Sequence, residues 1–396
     1  MNIHTKNANE KVKDIAERYG IPEDYLRKLN ELETGESAEG EELLLLVPTR
    51  SYNVQYGDTV ERIAIRFGVS TAEIYSQNPW LRLRDLKVGE CISVKQPAKK
   101  YGMGAANGYY YKECSREKLL MTMPFLTYIT FAGGVADERG VFHTGNYSSE
   151  VELAHRENKI PLIRIYDRHK KRYKEEKNSE EFAKRAIDVA IDGGYKGIVL
   201  DACHLSDSAE EFISFLMILR KMMIGCDLIL ITEVNENSPS EFSEYADGSV
   251  FYYPKYAIDN PPCFDDGERR VLGDYACQGE SAKTFIDLPS FARQGKEYLN
   301  IGDALKIARE SGCNISKNEN TLLSHFSAGK QGECIFSSPE LIKSIYELAS
   351  EYDYMGISFD IMRTPLMHIM MYNSMFKTSF YSNVRTREGC SRVGEE

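Results

Sequence analysis

From Tyr109 onward the chain alternates short apolar runs with longer amphipathic ones, and this alternation limits the fold more than any other feature. Seven runs have strand length and are rich in β-branched and aromatic residues: 125–131, 160–166, 197–201, 228–234, 249–253, 284–288 and 356–361. Between them, 149–158, 179–192, 208–223, 301–310 and 339–351 read as helices. Ile187, Ala190 and Ile191, for example, share one face behind the capping Ser179. Strands that alternate with helices build a parallel sheet covered by helices. The spacing therefore predicts an α/β fold, a (β/α)8 TIM-type barrel over residues 108–376, with seven of its eight strands named.

The strand at 197–201 follows a Gly193-Gly194 helix stop and ends in one acid, Asp201. Asp167, Glu233, Asp287 and Asp360 fall at the same end of other expected strands. That rim is where barrel enzymes assemble their chemistry. Two readings stay open: a catalytic set in which Glu233 faces Asp201, or acids that cap loops and pair with Arg164, Arg293 and Arg363. A working pair of carboxyls requires about 6 to 8 Å across an open cleft.

The first hundred residues repeat at an offset of 48. Ile15-Ala16 matches Ile63-Ala64, Arg18-Tyr19-Gly20 matches Arg66-Phe67-Gly68, and Asn30 matches Asn78. Such self-similarity marks duplicated units, here residues 1–48 and 51–96, each strand, helix, helix, strand. Residues 97–107 are small and polar and read as a linker, and 377–396 as a tail.

The second unit resembles the LysM module: Tyr-x-Val-x-x-Gly-Asp-Thr, Ile-Ala, Phe-Gly-Val, Asn-Pro and Leu-x-Val-Gly-x-x-Ile follow in that family's order. The first unit diverges, with Asn9-Glu10-Lys11 where the second has Gly57-Asp58-Thr59. The resemblance implies binding of N-acetylglucosamine polymers, peptidoglycan or chitin, between two loops. Those loops are Gly57, Asp58 and Thr59 on one side and Asn78, Pro79, Trp80 and Leu81 on the other, with Trp80 a candidate sugar platform.

Acids outnumber bases 60 to 49, for a net charge of -11, which argues against a nucleic-acid partner. No run of about 18 apolar residues is present to span a membrane, and the N-terminus carries no apolar core of a secretory signal, so synthesis in the cytoplasm is expected. The nine cysteines form no C-x-x-C pair, and no histidine spacing supports zinc. Glycine-rich nucleotide loops are missing too, so neither metal nor cofactor is expected. Oligomeric state is not legible.

Within the barrel, the stretch ending at Cys203 resembles the signature strand of the family 18 glycoside hydrolases, Asp-x-x-Asp-x-Asp-x-Glu. Its four positions read Lys196, Val199, Asp201 and Cys203 here. Asp287-Leu288-Pro289-Ser290-Phe291 and Gly356-Ile357-Ser358-Phe359-Asp360 resemble later strands of that family. The resemblance implies that Asp201 orients the substrate acetamide and that Cys203 stands where the proton-donating Glu belongs. It also sets Tyr252, Pro254 and Lys255 at the family's Met-Tyr-Asp strand, and Asp360 in place of its sugar-flooring Trp. Two LysM units before such a barrel are the layout of spore cortical-fragment lytic enzymes, which implies spore association. The expectation is a glycan-binding protein that has lost hydrolysis, with a diverged N-acetylglucosaminidase using Glu233 as the alternative.

Overall fold

A computed structural model describes residues 1–32, 35–136, 142–167, 176–203, 209–252, 269–277, 279, 281–329 and 332–378. Eight parallel strands close a barrel: β1 Met103–Tyr110, β2 Tyr128–Ala136, β3 Ile160–Asp167 and β4 Gly197–Asp201. The other four are β5 Ile229–Val234, β6 Gly248–Phe251, β7 Thr284–Asp287 and β8 Gly356–Asp360. Each pairs with the next, and β8 pairs with β1 to close the ring.

The strand missed by the sequence reading is β1, which starts inside the stretch expected to be linker. Its glycines serve close packing rather than flexibility. A Cβ on Gly104 would lie 2.2 Å from the Tyr372 hydroxyl oxygen, and one on Gly108 2.8 Å from Ile361 Cδ1. Where a tail was expected from residue 377, Lys377–Thr378 instead pairs with β1; the rest of that stretch lies outside the described residues.

Strand parity divides the core in two. Ala105, Tyr128, Leu162, Val199, Ile231, Val250 and Phe285 fill the barrel interior. Their neighbours Ala106, Ile129, Ile163, Ile198, Leu230 and Ile286 face the surrounding helices, the layered arrangement of a filled barrel. Between β7 and β8 the chain makes a five-stranded antiparallel sheet that the sequence did not announce, beside the expected helix, observed at Ile301–Ser311.

Both front units fold as strand, helix, helix, strand. Each is pinned by its buried asparagine. Asn78 Nδ2 donates to the carbonyls of Ile74 (2.9 Å) and Ser93 (2.7 Å), and the Ser93 N–H donates to Asn78 Oδ1 at 2.9 Å. Asn30 repeats this with Leu26 and Leu44. The divergent first unit keeps its entry turn by paired exchange. Asp58 accepts from Gln55 N–H and the Tyr52 hydroxyl; Glu10 accepts from Asn7 N–H and sits 2.8 Å from His4 Nε2.

The first unit is fastened to the rest. Arg309 donates to both Glu41 oxygens, Lys317 pairs with Glu42, and the Ile315 N–H donates to the Glu39 carbonyl. Gly40, at φ +74°, leaves no room there: a Cβ would lie 1.8 Å from the Ile315 carbonyl oxygen.

Candidate functional site

Parity also builds the barrel mouth. Inward positions continue past the apolar layers to Tyr109, four residues beyond Ala105, and to Arg164, Asp201 and Glu233, two residues beyond Leu162, Val199 and Ile231. Register places Glu233 directly beside Asp201. Arg164 reaches both: Nε donates to Glu233 Oε1 at 2.7 Å, and Nη2 donates to Glu233 Oε2 at 2.7 Å and to Asp201 Oδ2 at 2.9 Å. The Tyr109 hydroxyl donates to Glu233 Oε1 at 2.8 Å. Tyr252 packs against Tyr109, with ring centroids 6.1 Å apart.

Glu233 is 0% exposed. Burial holds its carboxyl above the ordinary value, against the Arg164 guanidinium, which pulls it down. Two parallel N–H donors on one carboxyl are the geometry of a guanidinium–carboxylate pair. Both Glu233 oxygens are thus committed. Asp201 and Glu233 are neighbours, as the sequence allowed, and one Arg164 nitrogen, Nη2, bridges them.

Cys203 follows the end of β4, and its N–H donates to Asp201 Oδ1 at 3.2 Å. Burial pushes its thiol far up, and the charges of Glu233 and Asp201 add to that. Asp360 closes a turn: Oδ1 accepts from the N–H groups of Met362 and Arg363, and Arg363 Nε stands 3.4 Å from its carboxylate. Asp287 ends β7 on the same rim. The side chain of Asp167, and Pro254 and Lys255, lie outside the described residues. Among the described residues no group of three His, Cys, Asp or Glu side chains is placed to hold a metal.

In the second front unit the two expected sugar-facing loops differ in exposure. Gly57 (φ +82°) and Thr59 are exposed, and Thr59 caps the helix Val60–Phe67. The Asp58 carboxylate is spent on the turn. Asn78, Pro79 and Leu81 are buried, so the expected contact through Asn78 and Pro79 is corrected. Asn78 is the pin described above, and Pro79 opens a 3-10 turn packed on the helix Arg116–Thr122. Trp80 is 8% exposed, edge-on to Tyr25 of the first unit at 5.6 Å with Lys28 over its ring. It joins the two units instead of offering a platform. An aromatic that the sequence reading passed over stands free in its place: Tyr56, beside Gly57, is 95% exposed. An unpatterned Tyr next to a turn glycine was its only signal.

The LysM domain profile matches residues 52–95. A search of curated protein sequences found no significant match. Among solved structures, the spore cortex-lytic enzyme SleL of Bacillus megaterium QM B1551 superposes with TM-score 0.72 at 16% identity, covering 96% of this chain and 99% of that one. SleL of Bacillus cereus gives TM-score 0.70 at 19% identity, with 96% and 99% covered. A class V chitinase from Pseudomonas fluorescens Pf-5 covers 69% of this chain and 99% of its own, at 12% identity and TM-score 0.62. Residues 52–95 are therefore a LysM domain, and the chain around it is a LysM-containing protein with a family 18 glycoside hydrolase-like barrel fold.

Proposed function

We propose that this protein binds N-acetylglucosamine polymers of the peptidoglycan or chitin type and does not cleave them. The observation that carries this reading is Arg164, which occupies both remaining carboxylates while Cys203 stands at the acid position. Protonating a leaving group needs a donor within about 2.6 to 3.2 Å of the glycosidic oxygen. Glu233 has no oxygen to offer and no exposed surface. That geometry favours the binding reading over the relocated-acid alternative.

The binding face in this reading is the exposed wall Tyr56, Gly57 and Thr59 of the LysM domain, with Tyr56 stacking on a sugar ring. The architecture shared with SleL supports a site of action at the spore; cell fractionation with an antibody to the chain tests it. The binding test is co-sedimentation with insoluble peptidoglycan and chitin. Wild type is expected in the pellet and Tyr56→Ala in the supernatant. Wild type that stays in the supernatant with both polymers would overturn the reading.

A further inference from the structure

A crevice lies away from the barrel mouth, against the LysM domain. It encloses about 460 Å³ where the second helix of the LysM domain, the strand Cys91–Lys95, the segment after it and the helix Leu366–Met375 meet. A second compartment of about 300 Å³ shares Leu46, Gln96, Pro97, Ala98 and Ser374 with it. The main walls are apolar, through Leu46, Val69, Val94, Pro97 and Met370. Into this space come the side chains of Lys99 and Lys377.

Lys99 is the anomaly. It is half-buried, and its amine donates to Asn373 Oδ1 at 2.9 Å. Among the described residues no carboxylate pairs with Lys99 or with Lys377. The acid that lines the crevice, Glu73, already accepts from the N–H and hydroxyl of Ser70 to cap its own helix. Taking an ammonium partly out of water is costly; the Glu73 carboxylate offsets part of that cost through space, and Lys377 adds repulsion. Burial, the first cause, holds the Lys99 amine down at about 8. An anion entering the crevice relieves that cost directly.

We propose that this crevice is a binding site for a carboxylate borne on a short apolar group, with Lys99 as its counter-charge and the end of a peptide as the simplest ligand. The apolar walls select against a bare, strongly hydrated anion. The Lys99 ammonium retains donors beyond the one given to Asn373. The ligand would touch the LysM domain, the joining segment and the terminal helix at once, so its occupancy holds these three together. The site does not depend on the barrel mouth, nor on whether the LysM domain binds sugar.

The test uses the full chain and two matched probes, N-acetyl-alanyl-alanine and its C-terminal amide, with inorganic phosphate as a third. Titration calorimetry at neutral pH is expected to show the carboxylate binding at least about tenfold more tightly than the amide. Phosphate should bind no better than the amide. Lys99→Met should abolish the difference while unfolding at or above the wild-type temperature, because it removes an unpaired cation. NMR of 13C-methylated lysines gives an independent reading: saturating carboxylate should raise the titration midpoint of Lys99 from about 8. Equal affinity for acid and amide, full binding by Lys99→Met, or an unmoved Lys99 midpoint would each overturn the proposal.

Discussion

His368 should control how this protein responds to acid. It lies in the helix Leu366–Met375, is 0% exposed, and neither ring nitrogen has a hydrogen-bond partner. Burial, with a smaller contribution from the nearby Lys118, lowers its pKa from 6.5 to about 3. The ring is therefore neutral in the folded chain at any pH above about 3, whereas the unfolded chain protonates it near 6.5. Between those values the unfolded state binds one more proton, so stability falls as pH falls. The slope is about 1.4 kcal/mol per pH unit. From pH 6.5 down to about pH 4.5 the loss from this one group reaches about 3 kcal/mol. His368→Leu keeps similar volume and removes two unpartnered polar atoms, so at neutral pH it should stay within about 1 kcal/mol of wild type. Urea unfolding of both proteins from neutral pH to about pH 4.5 checks this, with the variant gaining about 3 kcal/mol on wild type at the acid end. Parallel stability curves would refute the reasoning, because they would mean that His368 protonates equally in both states.

Four further outcomes follow from the same structure. Arg164→Met leaves the buried Glu233 carboxylate without its partner and should destabilise the chain by about 3 to 5 kcal/mol, read by denaturant unfolding. Asn78→Ala strands the Ser93 N–H and takes a side-chain donor from the Ile74 and Ser93 carbonyls in the LysM core, and should cost about 2 to 3 kcal/mol in the same assay. Gly40→Ala forces a Cβ into the Ile315 carbonyl and should loosen the first unit from the inserted sheet, seen as faster proteolysis between them. Tyr56→Ala should leave the unfolding midpoint unchanged, because the ring is 95% exposed, and weaken glycan binding roughly tenfold.

Much of the fold was legible because its signals are local. Strands β2 to β8 announce themselves by apolar runs between helical patterns, and the duplication at the front by a fixed offset. Strand β1 hid because barrel closure requires glycines and alanines at 104–106 and 108, which in isolation read as a linker. The inserted sheet hid because its short strands depend on one another for their pairing. At the mouth, sequence located Asp201, Glu233 and Asp360, and named Arg164 and Arg363 as alternative partners. What it lacked was the pairing itself, which arises from register between β4 and β5 and from the reach of one side chain on β3. Inward parity, counted from Leu162, Val199 and Ile231, would have put Arg164, Asp201 and Glu233 in one layer. Trp80 was misread for the opposite reason: a lone Trp in a loop looks like a platform until Tyr25, 55 residues earlier, covers it. Long-range packing of that kind leaves no mark in local spacing.

The central claim is that Arg164 and Cys203 leave this barrel without a working acid. The most direct measurement is mass spectrometry of the soluble fraction after incubating the purified chain with spore cortex fragments, with Glu233→Gln and Asp201→Asn in parallel. The account predicts that the chain enters the pellet and that no saccharide is released by any of the three proteins. Saccharides released by wild type and lost in either variant would contradict it, and would make the Arg164-bound carboxylates a working active site.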